Sequence, residues 1–133
     1  MIFVDTSAWF ARLVTDDPNH KAALAWIASN RERLITTDYI IDETLTLLRV
    51  RGQHRSAMAF GESMFETPIA TIHYVSPDEI REAWRVFRDY RDKAWSFTDA
   101  TSKAIIERLG IRQAFAFDEH FRQFGTVEIV PSR

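Results

Sequence analysis

The sequence predicts an α/β fold built on a largely parallel sheet, and three observations support this. Short apolar runs suited to buried strands occur at residues 2–4, 34–36, 69–75, 114–117 and 127–130. Longer stretches with helical periodicity separate them, and strands that alternate with helices imply a parallel sheet covered on both faces. No repeat, low-complexity tract or Pro/Gly-rich linker interrupts the 133 residues, so residues 1–133 are expected to form one domain.

The elements have local justification. Ile2-Phe3-Val4 is apolar without alternation, as a strand buried on both faces requires. Residues 39–51 are apolar around most of a helical circumference, which predicts a helix packed deep in the domain. Residues 53–66 read as a further helix, weakened by Gly61. Ser76-Pro77-Asp78-Glu79 combines a capping serine, a proline at the first helical position and a glutamate placed to close a capping box. Ile80, Ala83, Trp84, Phe87 and Tyr90 follow at helical spacing. Gly110 is placed to end the helix that starts near Asp99 in a left-handed cap.

Composition narrows the chemistry. Apolar residues are 46% and charged residues 27% of the chain, the usage of a globular protein and not of a disordered or fibrous one. There is no cysteine, which excludes disulfides, thiolate metal sites and cysteine nucleophiles, so any metal must be held by oxygen or imidazole. The first residues, MIFVDTSAWF, lack a secretory leader, and no run of about 18 apolar residues occurs, so a cytoplasmic protein without a membrane segment is expected. A formal charge of −2 argues against a whole-surface grip on nucleic acid but permits a local basic face.

Four acids stand out. Asp5 and Asp118 follow buried strands, at the sheet edge where open α/β folds bind ligands, and Asp99 lies at a helix start, where the positive end of the dipole favours it. Glu43 shares a helical stripe with Tyr39, Ile40, Leu47 and Val50, while Asp38, Asp42 and Arg49 form a separate polar stripe. A carboxylate turned inward needs a partner, either a metal or an arginine from elsewhere, since only Arg51 lies near its stripe. Carboxylates that share a pocket repel one another and take up protons unless a cation is present. A divalent ion resolves that conflict and can activate water against a phosphodiester. Each acid also has an ordinary reading: Asp5 and Asp118 as strand-ending turn residues, Asp99 as a helix-start charge paired with Lys103, and Thr98 as the N-cap of that helix.

Asp5-Thr6-Ser7 after an N-terminal strand, Glu43 within a helix, Ser96-Phe97-Thr98-Asp99-Ala100, and Phe117-Asp118-Glu119-His120-Phe121 resemble, in order, the motifs of the PIN-domain family in its VapC toxin branch. The resemblance implies an α/β/α sandwich with parallel strands in the order 3-2-1-4-5 and a metal-dependent endoribonuclease. It also implies a homodimer, and a small cognate antitoxin as partner. Asp5, Glu43, Asp99 and Asp118 match the family's acidic positions and would hold Mg²⁺ or Mn²⁺, with Asp118 more peripheral. Thr6, Ser7 and Thr98 match hydroxyl positions that support the ligands. A PIN-type RNA-processing nuclease that is not a toxin, and a non-catalytic metal-binding signalling or interaction domain, remain open alternatives. A haloacid-dehalogenase-like phosphatase needs a second Asp where Ser7 stands, and a response regulator needs a paired acidic start that Asp5-Thr6-Ser7 lacks.

Arg49, Arg51 and Arg55, with His54, are candidate RNA-phosphate contacts. Arg81, Arg85, Arg88, Arg91 and Lys93 interleave with Glu82, Asp89 and Asp92, which predicts a solvated, internally paired face. The pair Trp9 and Phe10, and the stripe Trp84, Phe87 and Tyr90, are expected in the core or at a dimer surface. The four histidines show no metal-ligand spacing, and His120 reads as a surface residue accompanying its motif.

Overall fold

A computed structural model describes residues 1–132. Its strands are β1 (Ile2–Val4), β2 (Leu34–Thr37), β3 (Thr71–His73), β4 (Gln113–Phe115) and β5 (Glu128–Val130), and they form one sheet in the order β3-β2-β1-β4-β5. Every pairing is parallel, with Ile2 opposite both Leu34 and Gln113. The helices are α1 (Thr6–Leu13), α2 (His20–Ser29), α3 (Asp38–Val50), α4 (His54–Phe65), α5 (Pro77–Asp89), α6 (Phe97–Leu109) and the short α7 (Glu119–Arg122). Among the described residues no helix is long and apolar enough to cross a membrane.

β1 is the centre of the sheet. Successive strand side chains point to opposite faces, and Ile2, Phe3 and Val4 are all buried, so helices cover both faces. Aromatic contacts seal the layers. Trp9 of α1 meets Phe60 of α4 at 5.5 Å, Trp26 of α2 meets Phe115 of β4 at 4.2 Å, and Phe3 meets Phe121 of α7 at 6.0 Å. The buried Trp9 indole donates to Thr36 Oγ1, which in turn donates to the Val4 carbonyl. Trp9 is therefore core, whereas Phe10 is half-buried beneath the Arg51 guanidinium, 5.9 Å from its ring centroid.

The differences from the expected elements have physical causes. β3 is an edge strand with a partner on one side only, and its ladder covers three residues of the expected seven. β4 stops at Phe115 because Phe117 N–H leaves the sheet to donate to Ser7 Oγ at 2.9 Å. α3 is not buried all round: its inward face is Ile40, Ile41, Thr44 and Leu48, while Val50 is 75% exposed. α6 is capped by Ser96 and not by Thr98, and Lys103 pairs with Glu107 and lies over the Tyr90 ring instead of meeting Asp99. Gly110 takes the expected left-handed conformation, φ 64°.

The capping box of α5 reaches beyond its own helix. Glu79 accepts the Ser76 N–H at 2.9 Å, and Ser76 Oγ accepts the Glu79 N–H at 3.2 Å. The buried Glu79 carboxylate also meets His73 Nε2 of β3 at 2.9 Å and Arg108 Nε of α6 at 3.7 Å, tying the sheet edge to two helices. Burial opposes its ionisation, but the bonds from Ser76 and His73 outweigh that and hold its pKa below the ordinary 4.5. Replacing Glu79 by Ala is expected to cost about 2 kcal/mol at pH 7, the sum of a lost cap and a lost buried pair. A depressed folded pKa stabilises above the unfolded value, and that part is lost as pH falls through the folded value. The deficit should therefore shrink between pH 5 and pH 3, which urea titrations of both proteins across that range check.

Candidate metal centre

In a parallel sheet the strand carboxyl ends and the starts of the following helices share one edge. The four candidate acids lie there. A cavity of about 360 Å³ is lined by Asp5, Thr6, Ser7, Glu43, Leu47, Ala94, Ser96, Asp99, Asp118 and His120. None of the lining residues is Lys or Arg.

Three of the acids are held by backbone N–H groups at helix starts. Asp5 is the N-cap of α1, and its Oδ2 accepts the Ser7 N–H at 3.1 Å and the Ser7 hydroxyl at 2.6 Å. Asp99 closes the capping box of α6, accepting the Ser96 N–H at 3.0 Å while Ser96 Oγ accepts the Asp99 N–H at 3.0 Å. Asp118 is the N-cap of α7 and accepts the His120 N–H at 2.9 Å. The turn and capping readings thus hold for these acids, and the same contacts aim them at the cavity. Glu43 comes from the middle of α3, where it is half-buried. Its carboxylate accepts from the Thr6 hydroxyl, and Thr6 Oγ1 accepts from the buried Thr44 hydroxyl at 3.3 Å.

Electrostatics follow from this crowding. Burial pushes Asp5 up to about 7 against the Ser7 hydrogen bonds, with the charges of Asp99 and Glu43 adding to the rise. Glu43 is raised in the same way, by burial first and then by Asp99, Asp118 and Asp42, against the Thr6 bond. His120 is raised as well, but here the rise favours the charged form. Burial would lower it, but its bond to Asp99 and the charges of Asp118, Asp99 and Asp5 raise it above its ordinary value.

His120 is the residue that sequence spacing missed. Its Nδ1 lies 2.7 Å from Asp99 Oδ2 and 3.5 Å from Asp118 Oδ1, and it lines the cavity instead of facing away from it. The signal available was its place two residues after Asp118, inside a cap turn. Ser96 was also missed as the α6 cap, although Ser96-x-x-Asp99 is a capping-box pattern. Thr98 does not line the cavity; its carbonyl accepts the Thr101 hydroxyl, and the serine beside Asp99 is Ser96. Arg49, Arg51 and Arg55 are exposed and lie outside the lining. On α5, Arg85 pairs with Glu82 and Arg88 with Asp89, each at 2.8 Å, as the interleaved charges predicted.

The model of the PIN domain family matches residues 2–127. The 23S rRNA-specific endonuclease VapC20 of Mycobacterium tuberculosis is 37% identical over 131 residues, covering 98% of this chain and 99% of that protein. A VapC ribonuclease of Archaeoglobus fulgidus is 31% identical over 89% of this chain and 77% of its own length. The crystal structure of Mycobacterium tuberculosis VapC20, described as a sarcin–ricin loop cleaving toxin, superimposes with a TM-score of 0.89 at 34% identity over 96% of this chain and 98% of that one. FitAcB from Neisseria gonorrhoeae shares the fold, with a TM-score of 0.71 at 15% identity over 97% of this chain and 96% of that one.

The raised Asp5 pKa has a measurable consequence. Between its ordinary 3.8 and about 7 the folded protein holds a proton that the unfolded chain has released. Metal-free stability therefore falls as pH rises through that window, by at most about 1.4 kcal/mol per pH unit. Asn at position 5 keeps the cap and removes the titration. Metal-free Asp5→Asn should melt close to wild type at pH 4.5 and about 5 °C or more above it at pH 8. Thermal melts in EDTA check this, and a gap independent of pH would mean that Asp5 is ionised throughout.

Proposed function

The chain belongs to the PIN-domain family, and from that premise we propose that it is a divalent-metal-dependent endoribonuclease, the toxin of a toxin–antitoxin pair. The observation that carries the reading is the convergence of four carboxylates from four chain segments on one cavity without a lining Lys or Arg. That donor set fits a hard divalent cation, which binds oxygen ligands and would relieve the burial and like-charge crowding that raise Asp5.

Asp5, Glu43, Asp99 and Asp118 would hold Mg²⁺ or Mn²⁺, which when bound supplies an acidified water and charge stabilisation at a phosphodiester. The chain's own part is to present these acids preorganised. Ser7 fixes Asp5 and ties it to Phe117, Thr6 fixes Glu43, and the Ser96 box fixes Asp99. Thr98, matched by resemblance alone, contributes through the first turn of α6. Water-excluding support comes from Leu47 and Ala94 in the cavity wall.

The relatives name the substrate class. We extend it to this chain as ribosomal RNA, cut at a sarcin–ricin-type loop, by a cytoplasmic protein whose residues 1–133 act as one ribonuclease domain. Exposed Arg49, Arg51 and Arg55 at the α3–α4 junction would contact phosphates flanking the cut. A small antitoxin would mask the site. Trp84, Phe87 and Tyr90 on α5 are 53%, 40% and 41% exposed, so the core reading of that stripe fails and a second copy is its proposed cover in a homodimer.

Purified protein should cut ribosomal RNA with Mg²⁺ or Mn²⁺ and stop in EDTA, leaving 3′-hydroxyl ends because water, and not the ribose 2′-hydroxyl, is the nucleophile. Asp5→Asn and Asp99→Asn should each lower cleavage at least about a hundredfold with the fold intact. Full activity in EDTA, or cyclic-phosphate ends, would sink the mechanism. For the dimer, light scattering should give twice the chain mass for wild type and the monomer mass for Trp84→Glu; a wild-type monomer would remove the α5 interface.

A further inference from the structure

We propose that His120 Nδ1 is a direct metal ligand alongside Asp99 and Asp118, so that one end of the acidic cavity is a mixed nitrogen–oxygen site favouring Mn²⁺ over Mg²⁺. The proposal rests on the metal reading of the cavity and adds a donor that the four acids do not include.

The argument begins with α7. Asp118 caps this helix by accepting the His120 N–H, so carboxylate and imidazole belong to one tight turn, with Nδ1 3.5 Å from Oδ1. The turn is anchored by the next residue, Phe121, which is fully buried against Phe3 at 6.0 Å and Phe124 at 4.7 Å. Asp99 arrives from α6, its carboxylate fixed by Ser96, and places Oδ2 2.7 Å from the same Nδ1. One donor atom from each of Asp99, Asp118 and His120 lies within 4.8 Å of the other two. No other trio of Asp, Glu and His among the described residues is as compact. Asp5 and Glu43 line the same cavity outside this trio.

The spacing suits one ion. Adjacent donors around a six-coordinate ion with bonds of about 2.1 Å sit about 3 Å apart, and 2.7 Å and 3.5 Å bracket that value. Without an ion, an imidazolium paired with both carboxylates accounts for these distances; a divalent cation would displace that proton and take the same three donors. Imidazole adds little for Mg²⁺, which demands oxygen, and more for first-row transition metals, so Mn²⁺ should bind at least about tenfold more tightly than Mg²⁺.

The test uses the full-length chain without RNA, with MnCl₂ or MgCl₂ as the only probe. Pulsed electron paramagnetic resonance of bound Mn²⁺ should show coupling to a ¹⁴N nucleus, replaced by a ¹⁵N signature when the protein is grown on ¹⁵N-histidine. This arm needs no variant, and His20, His54 and His73 do not line the cavity. In titration calorimetry His120→Ala should weaken Mn²⁺ at least about tenfold and Mg²⁺ much less, erasing the preference. Mn²⁺ bound without histidine nitrogen coupling would overturn the ligand role of His120 and leave the acidic metal site standing, with His120 acting only by hydrogen-bonding Asp99. Absence of Mn²⁺ binding to the wild-type chain would overturn both.

Discussion

A carboxylate that accepts backbone N–H groups at a helix start is the interaction on which this structure turns. Asp5, Asp99 and Asp118 each make it, on α1, α6 and α7. The parallel sheet forces all three helices to begin on one edge, so residues that satisfy orphan N–H groups for local reasons are brought together in space. Capping and site-building are therefore one arrangement. The carboxylates are preorganised because the helices would be less stable without them.

This coincidence has an electrostatic cost. The same edge that supplies N–H donors and helix dipoles gathers four like charges around one cavity, and for the fully buried Asp5 the donors of Ser7 do not offset burial. A folding optimum would replace at least one of the four. The hydroxyls of Thr6 and Ser7 donate to Glu43 and Asp5, while Ser96 Oγ accepts the Asp99 N–H, so three of the four acids are held in place despite that crowding.

Much of the fold was legible in the chain because it is encoded by neighbours in sequence. The unbroken apolar run of β1, the Ser76–Glu79 box and the left-handed Gly110 are each decided within about one helical turn, and each stands as expected. Readings that required knowledge of what lies across the sheet did less well. The strand expected over residues 69–75 is short because β3 has a single neighbour, and the run through Phe117 is cut because Ser7, 110 residues away, captures its N–H. Thr98 reads as a cap from its place before Asp99, but the chain enters α6 earlier, and Ser96 caps it.

The identity and order of the four acids, their strand and helix contexts, and the exclusion of thiolate chemistry were settled by the sequence alone, because residue type and local periodicity carry that information. Tertiary structure decided the rest. It set how deeply Asp5 is buried, turned Glu43 onto a cavity wall and not into the core, and left Trp84 in solvent. It also brought the His120 imidazole to Asp99 across 21 positions of chain. Distances of that kind depend on how α6 and α7 pack on the sheet, and no local pattern of a one-dimensional chain specifies the separation of two side chains that meet only after folding.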